Sequence, residues 1–205
     1  MKRWKNALAA AAALLPFSWA QAQISYSYIE GDLTVHEIDF APLDREEDAI
    51  GGRFEASYEL MSFLHVFGSY QYAELDDLDA QTNFAQVGVG VHYDFSEMSS
   101  VFANISAIST DLELVDSTLG TLESDDDGYG VSFGYREVNQ TPLEFGMSID
   151  YVKFNDADTD DTMMNLALLY ELTPRLKIIG GIQFGGDDNM VRAGVRYYLP
   201  SRDFN

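Results

Sequence analysis

Acidic side chains are the residues of this sequence best suited by type and number to bind an ion. The chain holds 34 Asp and Glu residues against 12 Lys and Arg residues, and many of the acids are clustered in short segments. Carboxylate oxygens are the ligands that Ca²⁺ and Mg²⁺ prefer, and a bound cation relieves the repulsion between them. The cluster with the most regular spacing comprises Asp156, Asp158 and Asp160.

These three aspartates are weak candidates for a metal site. In a calcium-binding EF-hand loop that began at Asp156, the sixth position would be a turn glycine and the twelfth a bidentate glutamate. Asp161 and Ala167 stand there instead, so an EF-hand is excluded. We expect no cofactor other than weakly bound Ca²⁺ or Mg²⁺. The favoured interpretation of the acidic clusters is a solvated surface that resists aggregation.

A second set of charged residues alternates with apolar residues and predicts ion pairs in a narrow interior. Opposite charges removed from water are tolerated mainly when they pair. The predicted interior cluster comprises Arg53, Glu55, Glu59, Asp94, Arg136, Glu144, Lys177, Arg192 and Arg196. Such a cluster is either a structural plug or the gate of a narrow pore.

Histidine is the remaining candidate for catalysis. Of the three histidines, only His36 falls in a segment predicted to face the exterior, whereas His65 and His92 fall near the other ends of their predicted strands. No nucleophile and base are clearly paired around His36. We therefore predict that the protein is not an enzyme, and a surface hydrolase built around His36 is the remote alternative.

Ten segments of alternating apolar and polar residues would position these groups. Alternation with period two indicates a strand with two chemically different faces. The predicted strands span 24–35, 50–60, 64–74, 83–94, 100–110, 127–137, 143–153, 163–171, 176–184 and 190–199. Tight turns alternate with longer or strongly acidic connections such as 36–49 and 111–126, as in outer-membrane barrels.

A tyrosine closes every second predicted strand, just before a short turn or the end of the chain. The five are Tyr58, Tyr93, Tyr135, Tyr170 and Tyr197. An aromatic residue at one depth in every second strand is what a ring of strands needs where it crosses a lipid interface. We predict an all-β fold: a transmembrane antiparallel up-and-down β-barrel of ten strands, with eight strands as the alternative. An even strand count would place both termini in the periplasm.

The N-terminus predicts export. A basic start, an apolar stretch too short to span a bilayer and a small-residue site ending at Ala22 are typical of a cleavable signal peptide. The predicted divisions are a signal peptide at 1–22, a barrel domain at 23–199 and a periplasmic tail at 200–205.

Charge and cysteine content exclude further classes. Three of the 12 basic residues lie in the predicted signal peptide, so the remaining chain carries 9 basic and 34 acidic residues and a formal net charge of −25. Nucleic-acid binding needs a basic footprint, so no nucleic-acid partner is expected. The absence of cysteine excludes disulfide bonds.

Three stretches, 24–31, 65–70 and 87–93, together resemble a family of short, mostly uncharacterised Gram-negative outer-membrane β-barrel proteins. More broadly, the chain is similar to the OmpA/OmpX-like small barrels. The resemblance implies a Gram-negative outer-membrane location. These families host adhesins, structural anchors, narrow pores and a few hydrolases, so the fold does not fix the function.

Three partners are expected. Residues 192–199, within the last predicted strand, resemble the signal recognised by the outer-membrane assembly machinery, which implies that machinery as a partner during insertion. Outer-membrane lipid is the second. Lipopolysaccharide is the third, because Lys153 lies near the outer interface, where it could reach a lipid phosphate; a solvated loop-edge lysine is the alternative.

The leading functional prediction is a non-enzymatic barrel with a structural or surface-interaction role. It has acidic extracellular loops, a charge-plugged lumen and an unidentified surface partner. The alternative is a narrow, porin-like channel that favours cations, because acidic loop mouths would concentrate cations electrostatically.

Overall fold

Ten antiparallel strands form one closed barrel in a computed structural model that describes residues 24–40, 45–75, 80–116, 120–139, 141–155, 159–186 and 188–200. The strands are β1 (Tyr28–Phe40), β2 (Arg45–Met61), β3 (Leu64–Leu75), β4 (Ala80–Ser96), β5 (Ser99–Asp116), β6 (Gly120–Val138), β7 (Leu143–Phe154), β8 (Asp160–Thr173), β9 (Leu176–Phe184) and β10 (Asp188–Tyr198). Each strand pairs with its neighbours in sequence, and β1 pairs with β10 to close the ring. The ten-strand prediction is confirmed and the eight-strand alternative is wrong. The predicted signal peptide lies outside the described residues.

The two ends of the barrel differ in their connections. At one end, which we call the turn end, short turns join β2 to β3, β4 to β5, β6 to β7 and β8 to β9, and the chain enters β1 and leaves β10. At the opposite end, the loop end, the remaining strands are joined. This alternation of turns agrees with the predicted pattern.

The long connections predicted at the loop end are largely strands. β5 and β6 continue to Asp116 and Gly120, within the segment predicted as a loop, and β1 and β2 continue to Phe40 and Arg45. The prediction of loops over 36–49 and 111–126 was therefore wrong. Acidic residues break the apolar alternation there without breaking the backbone pairing, as where Asp111 faces Asp125.

The chain also enters the wall later than predicted. β1 begins at Tyr28, and residues 24–27, which we call the N-terminal segment, lie across the lumen at the turn end. Ile24 packs against Val138 of β6, and β6 stands five strands from β1 in either direction around the ring. The predicted strand start at residue 24 was wrong because the alternation of Tyr26 and Tyr28 continues while the backbone leaves the wall.

The outward face of the barrel is apolar. Leu33 is 76% exposed, Val87 is 65% exposed and Phe133 is 61% exposed, and each alternates with inward polar residues. A protein folded in water would bury these side chains, whereas lipid is a favourable solvent for them. Among the described residues, no helix is long and apolar enough to cross a membrane.

Glycines on the inward face make room for aromatic rings. Phe67 pairs across strands with Gly88, and Phe102 pairs with Gly134. A Cβ atom added to either glycine would collide with the facing ring. These pairs fill a lumen that is too narrow for a side chain on every inward position.

Candidate functional site in the barrel lumen

Four charged residues and one tyrosine close part of the lumen at the turn end. We call them the turn-end cluster: Arg136, Glu144, Lys177, Arg196 and Tyr198. Glu144 is 1% exposed and accepts hydrogen bonds from Arg136 Nε at 2.9 Å, from Lys177 Nζ at 2.7 Å and from the Tyr198 hydroxyl at 2.8 Å. Arg136 Nη2 also donates to the Tyr198 hydroxyl at 3.0 Å. Each buried charge therefore has a direct partner, which offsets the cost of removing it from water.

A second group, the middle cluster, lies further along the lumen and comprises Glu30, Asp32, Arg53, Glu55 and Arg192. Arg192 Nη1 donates to Glu30 Oε1 at 2.5 Å and to Asp32 Oδ2 at 3.0 Å. Arg53 bonds to Glu55 and lies 3.4 Å from Glu30. Three strands, β1, β2 and β10, carry these residues, because β10 closes the ring against β1 and β2 pairs with the other edge of β1.

Arg196 joins the two clusters. Its Nε donates to Glu30 Oε2 at 2.5 Å, and its Nη1 lies 3.9 Å from Glu144 Oε1. Its guanidinium carbon sits 4.0 Å from the centroid of the Tyr28 ring, a distance at which a cation is attracted to the ring face. The result is one continuous network of charged residues that runs from β1, β2 and β10 across the lumen to β6, β7 and β9.

The N-terminal segment closes the other part of the turn end. The Tyr26 ring stacks on His92 with centroids 4.1 Å apart and on His65 with centroids 4.8 Å apart. Its hydroxyl lies 2.9 Å from Ser100 Oγ. Arg136 Nη1 donates to the Ser25 carbonyl at 2.9 Å. Tyr26 is consequently only 4% exposed.

A polar cavity of about 220 Å³ lies above this closure. Tyr26 and Arg136 line its floor, and small polar side chains such as Ser69, Asn104 and Ser132 line its wall. Charged groups of the middle cluster stand on the opposite side. The cavity could hold water or small ions, but the turn-end cluster and Tyr26 separate it from the turn-end opening.

The predicted interior residues fall into two sets. Seven take part in the network just described: Arg53, Glu55, Arg136, Glu144, Lys177, Arg192 and Arg196. Glu59 accepts hydrogen bonds from Ser25 and Ser27 of the N-terminal segment instead. Asp94 is exposed at the turn end of β4 and lies outside the ion-pair network of the described residues, since β4 reaches past the lumen there.

The sequence interpretation missed two central acids, Glu30 and Asp32, which are 2% and 6% exposed. Both lie on the inward face of β1, in register with Tyr26, Tyr28 and His36. The signal was present, because Ile29, Gly31, Leu33 and Val35 alternate with them on the outward face.

His36 does not lie in an external loop. It is 1% exposed on the inward face of β1, and its Nδ1 lies 2.9 Å from Asp188 Oδ2. The prediction that it faces the exterior was wrong, because β1 continues past it. An external substrate could not reach its ring in this position.

The metal candidates and the tyrosine girdle lie on other parts of the chain. Asp156 and Asp158 are outside the described residues, and Asp160 begins β8 opposite Lys153. Within the described ranges, no group of three or more His, Asp or Glu residues is arranged to hold a metal ion.

The tyrosines predicted as a girdle lie near the turn-end limits of their strands, where they alternate with inward residues. They are Tyr58, Tyr93, Tyr135, Tyr170 and Tyr197.

Comparisons with known proteins agree with this architecture. The family model described as Gram-negative porin matches residues 17–190. Neisserial surface protein A (NspA) is 12% identical with a TM-score of 0.51, and the match covers 85% of this chain and 98% of NspA. The β domain of the Bordetella autotransporter BrkA is 11% identical with a TM-score of 0.51, and the match covers 84% of this chain and 99% of that domain.

A third solved structure is the attachment invasion locus protein Ail of Yersinia pestis. It is 15% identical with a TM-score of 0.46, and the match covers 83% of this chain and 95% of Ail. No curated protein matches the sequence. At these identities, the likeness to the solved structures concerns the fold alone.

Proposed function

The chain belongs to the Gram-negative porin family, and from that premise we propose that it is a non-enzymatic surface barrel whose lumen is closed in its resting state. The observation that carries the proposal is the closure at the turn end. Arg136, Glu144, Lys177 and Arg196 are each 7% exposed or less, and Tyr26 fills the space beside them. A lumen filled by paired charges supports a structural or surface-interaction role.

In this proposal, the turn end faces the periplasm, so both termini are periplasmic, and the loop end faces the exterior. Outer-membrane barrels have short periplasmic turns and longer external connections. The hairpin of β5 and β6 carries exposed acids, among them Asp111, Asp125 and Asp127. These side chains would form a hydrated, negatively charged surface outside the cell, which a positively charged partner could contact.

Burial of His36 supports the non-enzymatic part of the proposal. His36 was the histidine considered for a surface hydrolase, and its ring is held inside the barrel by Asp188. A general base must come within hydrogen-bond reach of the proton that it abstracts. The position of His36 gives an external substrate no such approach.

An epitope-insertion experiment tests the orientation. One short epitope is inserted between Asp116 and Gly120, and a second is inserted between Met61 and Leu64. Antibody should label intact cells that carry the first insertion and should label the second only after permeabilisation. Labelling of intact cells through the second epitope alone would reverse the proposed orientation.

Planar-bilayer recording tests the closed lumen. The refolded mature protein, shown to be folded by heat-modifiable gel mobility, should give no steady conductance. Steady current through the wild-type protein would contradict a lumen that is closed at rest.

A narrow, cation-favouring channel is the second candidate, and the polar cavity of about 220 Å³ favours it. Ten strands enclose little more than side-chain filling, so such a channel would pass only small ions. Under this candidate, wild-type protein conducts and Arg136→Gln or Arg196→Gln alters the conductance or the ion selectivity. Under the first candidate, the same substitutions lower stability only.

A further inference from the structure

We propose that the N-terminal segment is a tethered plug, and that the barrel conducts small ions when this plug leaves its seat. The inference goes beyond the proposed function, which concerns the resting barrel. It starts from the position of residues 24–27, which cross the lumen at the turn end instead of joining the wall.

The closure at the turn end has two parts of different origin. The turn-end cluster is carried by the wall strands β6, β7, β9 and β10, so its backbone cannot move without breaking strand pairing. Tyr26 is carried by residues that precede β1. Its contacts lie on β3, β4, β5 and β6, through His65, His92, Ser100 and Arg136.

The attachment of the plug is local and mostly made by side chains. The pairing of β1 with β2 and with β10 begins at Tyr28. One further backbone hydrogen bond, donated by Leu199 N to Ser27 O at 2.9 Å, extends the pairing with β10 by one residue. Beyond that bond, the described contacts of Ser25 and Ser27 with the barrel are with Glu59 and Arg136. The segment could therefore withdraw while every paired strand stays in place.

Withdrawal would extend the cavity towards the turn end. Tyr26, His65, Phe102 and Arg136 all line the lower part of the cavity. Removing the Tyr26 ring would leave His65, His92 and Ser100 lining the vacated space, together with the apolar Phe102 and Val138. The two histidines and the serine could hydrate a small ion, whereas the turn-end cluster would still occupy the other part and keep the opening narrow.

Export would leave the plug free at one end. Cleavage after Ala22, as the sequence predicts, would leave Gln23 as the only residue before Ile24. The segment would then be joined covalently to the wall only through Tyr28, while its other end, held by non-covalent contacts, could move. A short tether of this kind would allow the ring to leave its seat and return to it.

Bilayer recording of plug variants tests the inference with full-length mature protein. Tyr26→Ala removes the ring, and Ile24→Asp places a charge where Ile24 packs against Val138. Tyr170→Ala is the matched control, since it removes a tyrosine near the turn end of β8 that alternates with the buried Leu169. Heat-modifiable gel mobility establishes which variants are folded.

We expect the wild type and Tyr170→Ala to be silent and Tyr26→Ala to give steady current. If Tyr26→Ala does not fold, Ile24→Asp is judged by the same criterion. Folded plug variants that stay as silent as the wild type would overturn the plug and leave the closed barrel standing. Failure of both plug variants to fold would also overturn it, because a movable plug is not needed to form the barrel.

The other outcomes separate the plug from the proposed function. If the wild type conducts and Tyr26→Ala conducts more, the resting barrel is not closed but the plug inference holds. Steady current of equal size through the wild type and through Tyr26→Ala would overturn both. Steady current through Tyr170→Ala equal to that of Tyr26→Ala would also overturn the plug, because the effect would not belong to the lumen.

Discussion

Glu144 and Arg136 form a two-point hydrogen bond inside the barrel, with Glu144 Oε1 at 2.9 Å from Arg136 Nε and at 2.5 Å from Arg136 Nη2. The two residues lie on the adjacent strands β7 and β6 near the turn end. The fork of the guanidinium fixes the carboxylate, whose other oxygen then serves Lys177 and Tyr198. Glu144 is thus the shared acceptor of the turn-end cluster.

Glu144→Ala should destabilise the barrel by about 3–5 kcal/mol, the cost of removing one partner from a buried ion pair. It would leave Arg136 and Lys177 buried without their common anion. Glu97→Ala is the matched control, since Glu97 is exposed in the turn between β4 and β5, and it should change stability by about 0.5 kcal/mol or less. Urea unfolding in detergent, followed by circular dichroism, measures both values. Equal midpoints would show that Glu144 has no special role.

Gly134→Ala should destabilise the barrel by about 1–3 kcal/mol, the usual cost of overpacking a filled interior. A Cβ atom there would overlap the Phe102 ring and lie 2.6 Å from the Met147 carbonyl oxygen. Backbone cannot move aside as a flexible side chain can.

Gly146→Ala provides the control for this substitution on the neighbouring strand. A Cβ atom at Gly146 would meet nothing closer than 3.9 Å, so this variant should be as stable as the wild type or slightly more stable. The unfolding midpoints of Gly134→Ala and Gly146→Ala, each compared with that of the wild type, test the two predictions. A larger loss at Gly146 than at Gly134 would contradict the described packing of the lumen.

The strand count could be predicted from the sequence because the outward face must be apolar in lipid along every strand. Phe54, Ile105 and Ile149 each stand between inward polar residues, and this alternation survives small errors in strand boundaries. The hairpin of β5 and β6 could not be predicted in this way. Outside lipid, its pairing is maintained by backbone hydrogen bonds, which leave no apolar pattern in the sequence.

Much of the lumen also follows from alternation, but its contacts do not. The alternation of polar and apolar residues with period two places Arg136 and Glu144 inside the barrel. Only the register of β6 against β7 brings their side chains together. Glu30 and Asp32 alternate with outward residues as clearly, so the same period places them inside. The path of residues 24–27 was beyond prediction, since Tyr26 continues the alternation of β1 while its contacts are on strands two to five places away.

Arg196 should be coupled more strongly to Glu30 than to Glu144. The Arg196 Nε atom lies 2.5 Å from Glu30 Oε2, whereas its Nη1 lies 3.9 Å from Glu144 Oε1. Double-mutant cycles with Arg196→Met and either Glu30→Gln or Glu144→Gln measure each coupling free energy. Residues in direct contact show couplings of about 0.5–3 kcal/mol, and we expect the Glu30 pair to lie in that range and to exceed the Glu144 pair. The reverse order would mean that Arg196 is held mainly by Glu144 within the turn-end cluster and does not link that cluster to the middle cluster.

The cost of a charge on the outward face should depend on its depth, which tests how the barrel sits in lipid. Phe133 and Phe95 are both outward phenylalanines, 61% and 53% exposed. Phe133 lies further from the turn end than the predicted girdle residue Tyr135, whereas Phe95 lies beyond Tyr93 and closer to the turn. Arginine costs about 2–4 kcal/mol at the middle of a bilayer and about 0–1 kcal/mol near its surface.

Phe133→Arg should therefore lower the free energy of unfolding in lipid vesicles by clearly more than Phe95→Arg does. Because the same residue is replaced by the same cation, the difference reports the surroundings and not the side chains. Repeating the comparison in a short-chain detergent, where the apolar layer is thinner and deformable, should reduce the gap between the two variants. Equal losses of unfolding free energy in vesicles would mean that both phenylalanines lie at one depth. The tyrosines would then not mark the lipid interface.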